Sequence, residues 1–342
     1  MSEEIRISAE PLSIPFKRTF RTAMRSADMS HSLIMRAEAD GIIGFGESCP
    51  SSKVTGESVE SVMANLPLLT EAVKGEKIDT LEDLVFVIKK IDKTIAENQS
   101  LKCGLTSALI DFYMKKHSIS ISSKPVRTDV TISLGKDIMA EMEERLEEGF
   151  SVLKIKIGMG IEEDAKLVKS IRDRFGYSME LILDANQSYT PNSAKNLISS
   201  LSSYDVKILE QPVPAWNKEG LRNLMGPIPI MADESLFNAR DAMALSDRVD
   251  YFNIKLNKSG GIVEALRIAD IAESCGLGCM VGCMGGETIV GISAGFLVAS
   301  VAHLPLVDLD SPLLLKDNPV KGGVRYAKDM IMPPEGFGTG VI

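Results

Sequence analysis

Residues 152–158 read VLKIKIG, an apolar, β-branched run with the character of a buried strand that nonetheless carries Lys154 and Lys156 two positions apart. Side chains two apart on a strand point to one face, so two ammonium groups lie side by side among Val, Leu and Ile. Burying like charges together is costly, and the surrounding fold has to account for it.

Working outward, short apolar runs recur with helical periodicity between them. Strands are predicted at residues 128–133, 152–157, 181–183, 206–209, 228–232, 251–254, 278–281 and 306–309. Helices are predicted at 137–148, 162–175, 191–201 and 261–275, among others. Polar residues unsuited to a strand interior sit where these strands end: Thr131, Lys154 and Lys156, Asp184, Glu210, Asp233, Lys255, and Asp308 with Asp310. From Lys156 to Lys255 the ends follow one another at 28, 26, 23 and 22 residues, close to the length of one strand-plus-helix unit. Eight such units make a (β/α) barrel or a doubly wound sheet. The barrel is preferred, because only a barrel brings all these ends to one mouth.

The first part of the chain has another texture. β-like runs at 5–14, 32–39 and 42–47, with Asp40-Gly41 as a hairpin signal, precede helical runs at 58–73, 80–95 and 101–116. A small α+β domain over residues 1–125 is expected, followed by a barrel over 126–317.

Composition sets the outer bounds. With 342 residues, 44% hydrophobic and 25% charged, the chain suits an ordinary soluble globular protein. A net charge of -9 argues against nucleic-acid or anionic-membrane partners. No apolar run is long enough to span a bilayer and no leader pattern is seen, so the expected location is cytoplasmic. Cys49, Cys103, Cys275, Cys279 and Cys283 are an odd number and fit reduced thiols. The last three recur every fourth residue, but glycines between them break any helix, so they are not expected to converge on a metal.

Asp184, Glu210 and Asp233, in LILDANQ, VKILEQPVP and IPIMADES, would repel strongly on neighbouring strands unless a cation lay between them. An all-oxygen set favours a hard divalent ion, Mg²⁺. The lysines flank that ion, Lys154 and Lys156 on the strand before and Lys255 on the strand after. Burial and a neighbouring ammonium are expected to depress a lysine pKa toward that of a useful base. Two bases on opposite faces of one carbon can remove a proton from one side and return it to the other, giving the epimer. Lys156 and Lys255 are assigned as the bases, with Lys154 as electrostatic helper to the metal in stabilising an enediolate.

Lys154-Ile-Lys156, Asp184-Ala-Asn186, Glu210-Gln-Pro212, Asp233-Glu-Ser235 and Asn253-Ile-Lys255 stand in an order that resembles the enolase superfamily, in its muconate-lactonizing subgroup. The resemblance implies a modified TIM barrel, (β/α)7β, with a capping domain completed by residues 318–342, and one Mg²⁺ held by Asp184, Glu210 and Asp233. Within the subgroup the chain looks like the dipeptide epimerases, through Asp308-Leu-Asp310 in VDLDSPLLL. That likeness implies that Asp308 and Asp310 bind the ammonium of a small dipeptide. It further implies that Arg25 pairs with a glutamate side chain of the substrate, that Phe20 and Val54 line its pocket, and that Thr131, Cys283 and Met284 contact the substrate backbone. In VGCMGGETIVG the loop is one glycine longer than the common form.

The implied activity is that of an isomerase acting on L-Ala-Xaa dipeptides, with Glu as Xaa, in peptidoglycan-peptide recycling or dipeptide breakdown. Two other functions stay open on the sequence. One is an elimination or cycloisomerisation of the o-succinylbenzoate synthase or muconate cycloisomerase type, and the other is a non-catalytic barrel that binds ligands or acts as a scaffold. Homo-oligomers are common among such barrels, and no interface is visible in the chain.

Overall fold

A computed structural model of the chain describes residues 3–135 and 137–342. The chain opens with an antiparallel sheet in the order β1 (Arg6–Arg21), β2 (Ser26–Ala39), β3 (Ile42–Ser48). The β2–β3 turn is Asp40-Gly41, both at positive φ, as a two-residue hairpin of this sequence requires. β1 and β2 run far beyond the apolar stretches that announced them. Their pairing continues through Phe20↔Ala27 and Arg21↔Ser26 after a register shift that follows Pro15, and the Thr22 amide closes the turn on the Arg25 carbonyl. Residues 15–26 are thus the tip of a hairpin rather than a loop.

Three helices follow: α1 (Val59–Val73), α2 (Leu81–Thr94) and α3 (Gln99–Lys116). Ser58 and Thr80 each close a capping box at the start of the first two. α3 is buried on nearly all sides between the β1–β3 sheet and the barrel. Gly46 of β3 lets the helix approach so closely that a methyl group there would fall 2.0 Å from the Gly104 carbonyl oxygen.

The barrel begins with β4 (Val126–Thr128) and β5 (Val130–Ile132), then α4 (Ile138–Glu147), β6 (Val152–Lys156), α5 (Ile161–Phe175), β7 (Glu180–Asp184), α6 (Pro191–Leu201) and β8 (Val206–Glu210). It continues with α7 (Lys218–Arg222), β9 (Ile230–Ala232), α8 (Ala239–Leu245), β10 (Tyr251–Lys255), α9 (Leu256–Ser259), α10 (Ile262–Ser274), β11 (Gly278–Gly282), α11 (Ile289–Val301), β12 (Leu306–Val307) and α12 (Ser311–Leu314). β5 to β11 form one parallel sheet in sequence order. β12 closes the ring by pairing with β4, while Asp308 bridges to Gly282 at the end of β11. The predicted first strand is therefore two short ones, divided at Asp129, because the chain must pair with β12 and β14 on one side of that residue and with β6 on the other.

Inside the barrel Val152, Ile182, Ile208, Met231 and Met280 form an apolar cluster. Two residues further along the same strands stand Lys154, Asp184, Glu210, Asp233 and Gly282. The strand period of two thus sets a polar layer on an apolar floor. The chain ends with β13 (Arg325–Ala327) and β14 (Met330–Met332), the latter paired with β4. The last residues then return to α3, where Asp111 accepts from the Thr339 amide and Lys115 Nζ donates to the Val341 carbonyl at 2.7 Å.

The amino-terminal sheet is fastened to the barrel by a buried acid. Glu47 of β3 accepts hydrogen bonds from the Thr288 amide and hydroxyl and from the Gly291 amide, at the amino end of α11. Glu287, also buried, accepts from the Met284 amide at 2.7 Å. Burial, and then the nearby Glu47, push the Glu287 carboxyl up to about 8. A carboxyl raised in this way holds a proton when folded that the unfolded chain has released, so its contribution to stability falls as pH rises from the ordinary glutamate value to about 8. Glu287→Gln should flatten the decline in unfolding free energy between about pH 5 and 8 in urea titrations. A decline as steep as that of the native protein would contradict the assignment.

Candidate active site

Counting β4 and β5 together as the first barrel strand, β6 is the second and β10 the sixth of eight, so they stand on opposite walls. Lys156 ends β6 and Lys255 ends β10. The arc between them carries Asp184, Glu210 and Asp233 at the ends of β7, β8 and β9. All five side chains are buried. One oxygen from each of the three carboxylates lies within 4.8 Å of the others. An all-oxygen, fully buried set of this kind fits a hard divalent ion.

The lysines are paired into this arc. Lys156 Nζ donates to Asp184 Oδ2 at 2.5 Å and Lys255 Nζ to Asp233 Oδ2 at 2.8 Å. Lys154 lies between, 2.7 Å from Glu210 Oε2, 2.7 Å from Asp308 Oδ2 and 3.4 Å from Asp184 Oδ2. The lysine pKa values expected to be depressed run the other way for two of these residues. Burial pulls the Lys154 ammonium down, but Asp308, Glu210 and Asp184 outweigh it and hold it well above the ordinary lysine range. Burial likewise lowers Lys255, and Asp233 more than reverses this. The expectation counted burial and neighbouring ammonium groups but not the acids in direct contact.

Among the acids the same forces compete. Burial would raise Asp184, yet Lys156 and Lys154 hold it below the ordinary range. Burial and Asp184 push Glu210 up to about 7 despite Lys154. Burial also pushes Glu234 up to about 8, with Asp233 adding to it. Its Oε1 accepts from Asn186 Nδ2 at 3.1 Å.

The backbone at this rim is held in uncommon conformations. Asn186, Gln187 and Gln211 all have positive φ just past the strand ends. Gln211 shows what holds such a turn: its side-chain oxygen accepts from the Asp233 amide at 2.9 Å and from Ser235. Lys258, three residues after Lys255 and fully buried, donates to both the carbonyl and Oδ1 of Asp233. Sequence reasoning missed it because a lysine in the first turn of a helix looks like surface.

A cavity opens over the arc, with about 480 Å³ of empty space that runs out into solvent. Phe20, Arg25, Val54 and Met284 line it together with Lys156, Asp233 and Lys255. Arg25 comes from the tip of the β1–β2 hairpin. Its Nη2 donates to the Gly285 carbonyl at 3.0 Å and its guanidinium lies 5.4 Å from the Phe20 ring centre. Among the described residues no acid forms an ion pair with it. The glycine at 285 serves this approach, since a methyl group there would fall 2.9 Å from the Phe20 ring and 3.1 Å from Arg25 Nη2.

The remaining predicted residues gather on the other half of the rim, at the first, seventh and eighth strands. Asp310 Oδ2 accepts from the Thr131 amide at 2.5 Å, and Cys283 Sγ lies 3.9 Å from Asp310 Oδ1. Asn253 links the two halves, with Nδ2 donating to Glu210 Oε1 at 2.8 Å and to Asp308 Oδ2 at 3.3 Å. The structure therefore brings Phe20, Arg25, Val54 and Met284 to the cavity, and Thr131, Cys283, Asp308 and Asp310 to a buried cluster beside it. Asp129 joins that cluster from the break between β4 and β5.

Residues 137–342 match the family model for enolase C-terminal domain-like proteins. The chain is 36% identical to a hydrophobic dipeptide epimerase of Enterococcus faecalis, over 96% of each chain. Its fold is similar to that of the L-Ala-D/L-Glu epimerase from Bacillus subtilis in a substrate-liganded complex, with a TM-score of 0.94 at 32% identity over 99% of each chain. It is also similar to the dipeptide epimerase of Enterococcus faecalis complexed with Mg and L-Leu-L-Tyr, with a TM-score of 0.92 at 33% identity over 99% of each chain. The chain belongs to the enolase superfamily, on the branch that holds the dipeptide epimerases.

Proposed function

We propose that the protein is a Mg²⁺-dependent isomerase that inverts the α-carbon of the carboxyl-terminal residue of L-Ala-Xaa dipeptides, with Glu as Xaa. The observation that carries this is the placement of Lys156 and Lys255 on opposite walls of one mouth, with three buried carboxylates along the arc between them. A carbon held between the two walls presents one face to each amine.

Asp184, Glu210 and Asp233 would hold the ion, which when bound supplies positive charge against the substrate carboxylate and so acidifies the α-proton. Lys156 and Lys255 then exchange that proton, one removing it from one face while the other delivers a proton to the opposite face. Lys154 places a fixed positive charge where negative charge grows on the substrate. Asp308 and Asp310 receive the dipeptide ammonium, with Thr131 and Cys283 beside them. Arg25 receives the side-chain carboxylate of Xaa, between Phe20, Val54 and Met284. A guanidinium partly buried in a cavity without an acid partner supports an anionic side chain there.

The acid pair also weighs against elimination or cycloisomerisation of dicarboxylates, which offer it no cation. A scaffold would need neither paired lysines nor a metal set. We extend the proposal to a cytoplasmic role in peptidoglycan-peptide recycling or dipeptide breakdown, which rests on Glu as the second residue.

Incubation with Mg²⁺ and L-Ala-L-Glu in D₂O should place deuterium on the α-carbon of the second residue, and EDTA should abolish it. Absence of exchange across a broad dipeptide library would overturn the function. Arg25→Met should lower kcat/KM for L-Ala-L-Glu by about a hundredfold through loss of a buried charged contact, while apolar second residues are little affected. A native enzyme that prefers apolar second residues would replace Glu with the specificity of the Enterococcus faecalis relative.

A further inference from the structure

Asp129 occupies the break between β4 and β5, where pairing with β12 gives way to pairing with β6. Its side chain is fully buried, and neither carboxylate oxygen has a hydrogen-bond partner. One oxygen from each of Asp129, Asp308 and Asp310 lies within 4.8 Å of the others. The donors nearby are committed elsewhere. Lys154 Nζ donates to Asp308 at 2.7 Å, the Thr131 amide to Asp310 at 2.5 Å, and Asn253 Nδ2 to Glu210 and Asp308.

An ionised carboxylate at this position would be stripped of water beside two further acids, with Glu210 also near and only the shared charge of Lys154 to offset them. A protonated carboxyl reverses the situation. It becomes a donor, and the acids around it become its acceptors.

We propose that Asp129 is a positioning residue that stays protonated at neutral pH and donates its O–H to the Asp308–Asp310 pair. The bond fixes the pair and keeps its charge suited to one ammonium group; this rests on Asp308 and Asp310 being the ammonium subsite proposed above. The negative charge of Asp308 is shared with Lys154, which leaves roughly one unit for the substrate to neutralise. A third ionised acid would favour a divalent ion or an extra proton in its place. Burial, followed by Asp308 and Asp310, pushes the Asp129 carboxyl well above the ordinary aspartate range, in agreement.

The test combines spectroscopy with kinetics on the Mg²⁺-loaded protein. With ¹³C-carboxyl-labelled aspartate, the infrared spectrum at neutral pH should contain a carboxylic-acid C=O band that disappears in Asp129→Asn. The lack of such a band, or its persistence in Asp129→Asn, would overturn the proposal. Asparagine keeps a neutral donor of similar shape, so Asp129→Asn should hold KM for L-Ala-L-Glu within about threefold of the native value, whereas Asp129→Ala should raise KM about tenfold with kcat nearly unchanged. Equal damage from both substitutions would mean that a negative charge is required, and would also overturn it. If Asp129→Ala does not fold, the infrared band and the Asn variant decide. If the native protein turns over no dipeptide, the substrate assignment fails, and the band still decides the protonation of Asp129.

Discussion

The Lys154 ammonium is the point on which the rest of the barrel interior depends. It is buried and lies within reach of Asp184, Glu210 and Asp308 at once. Those acids come from the third, fourth and eighth strands, so one charge ties both halves of the rim to the second strand. Without it, Glu210 and Asp308 on facing walls would lose the ammonium they share. Its own burial is tolerable for the same reason, because the acids replace the hydration it gives up. The two lysines of VLKIKIG thus have different tasks, Lys154 at the centre of the charge network and Lys156 on the wall facing Lys255.

That network divides the mouth by chemistry. One arc, from β6 to β10, offers oxygen ligands between two amines. The other, from β11 through β12 to β5, offers acids to a cation. Arg25 and Phe20 reach in from the amino-terminal hairpin, above the first arc. A ligand that bridges the arcs needs a carboxylate at one end and an ammonium at the other, which a dipeptide has. The cap is held to this rim by buried contacts, including Glu47 on the amino end of α11 and the Ser30 hydroxyl on the Gly286 carbonyl at 2.7 Å.

Much of this was legible in the sequence because barrel strands have a period of two. An apolar floor residue followed two positions later by a charged one, as in Val152 and Lys154 or Ile182 and Asp184, marks where each strand leaves the core. Other features had no local signal. The β1–β2 hairpin extends through a charged, proline-bearing stretch whose pairing is set by its partner strand, and its Thr22–Arg25 turn contains neither Gly nor Asn. α11 is apolar on all sides, so it has no helical stripe to detect. Asp129 and Lys258 acquire their surroundings only when remote strands close the ring. The upward shifts of Lys154 and Lys255 depend likewise on contacts between strands.

The central claim is that two amines address one carbon from opposite sides. It is tested most directly by following α-proton exchange in D₂O for Lys156→Ala and Lys255→Ala separately, each with L-Ala-L-Glu and with L-Ala-D-Glu in the presence of Mg²⁺. Neither variant should epimerise, but each should retain exchange with one epimer, and the two should retain it with opposite epimers. Exchange of the same epimer by both variants, or full epimerisation by either, would contradict the account.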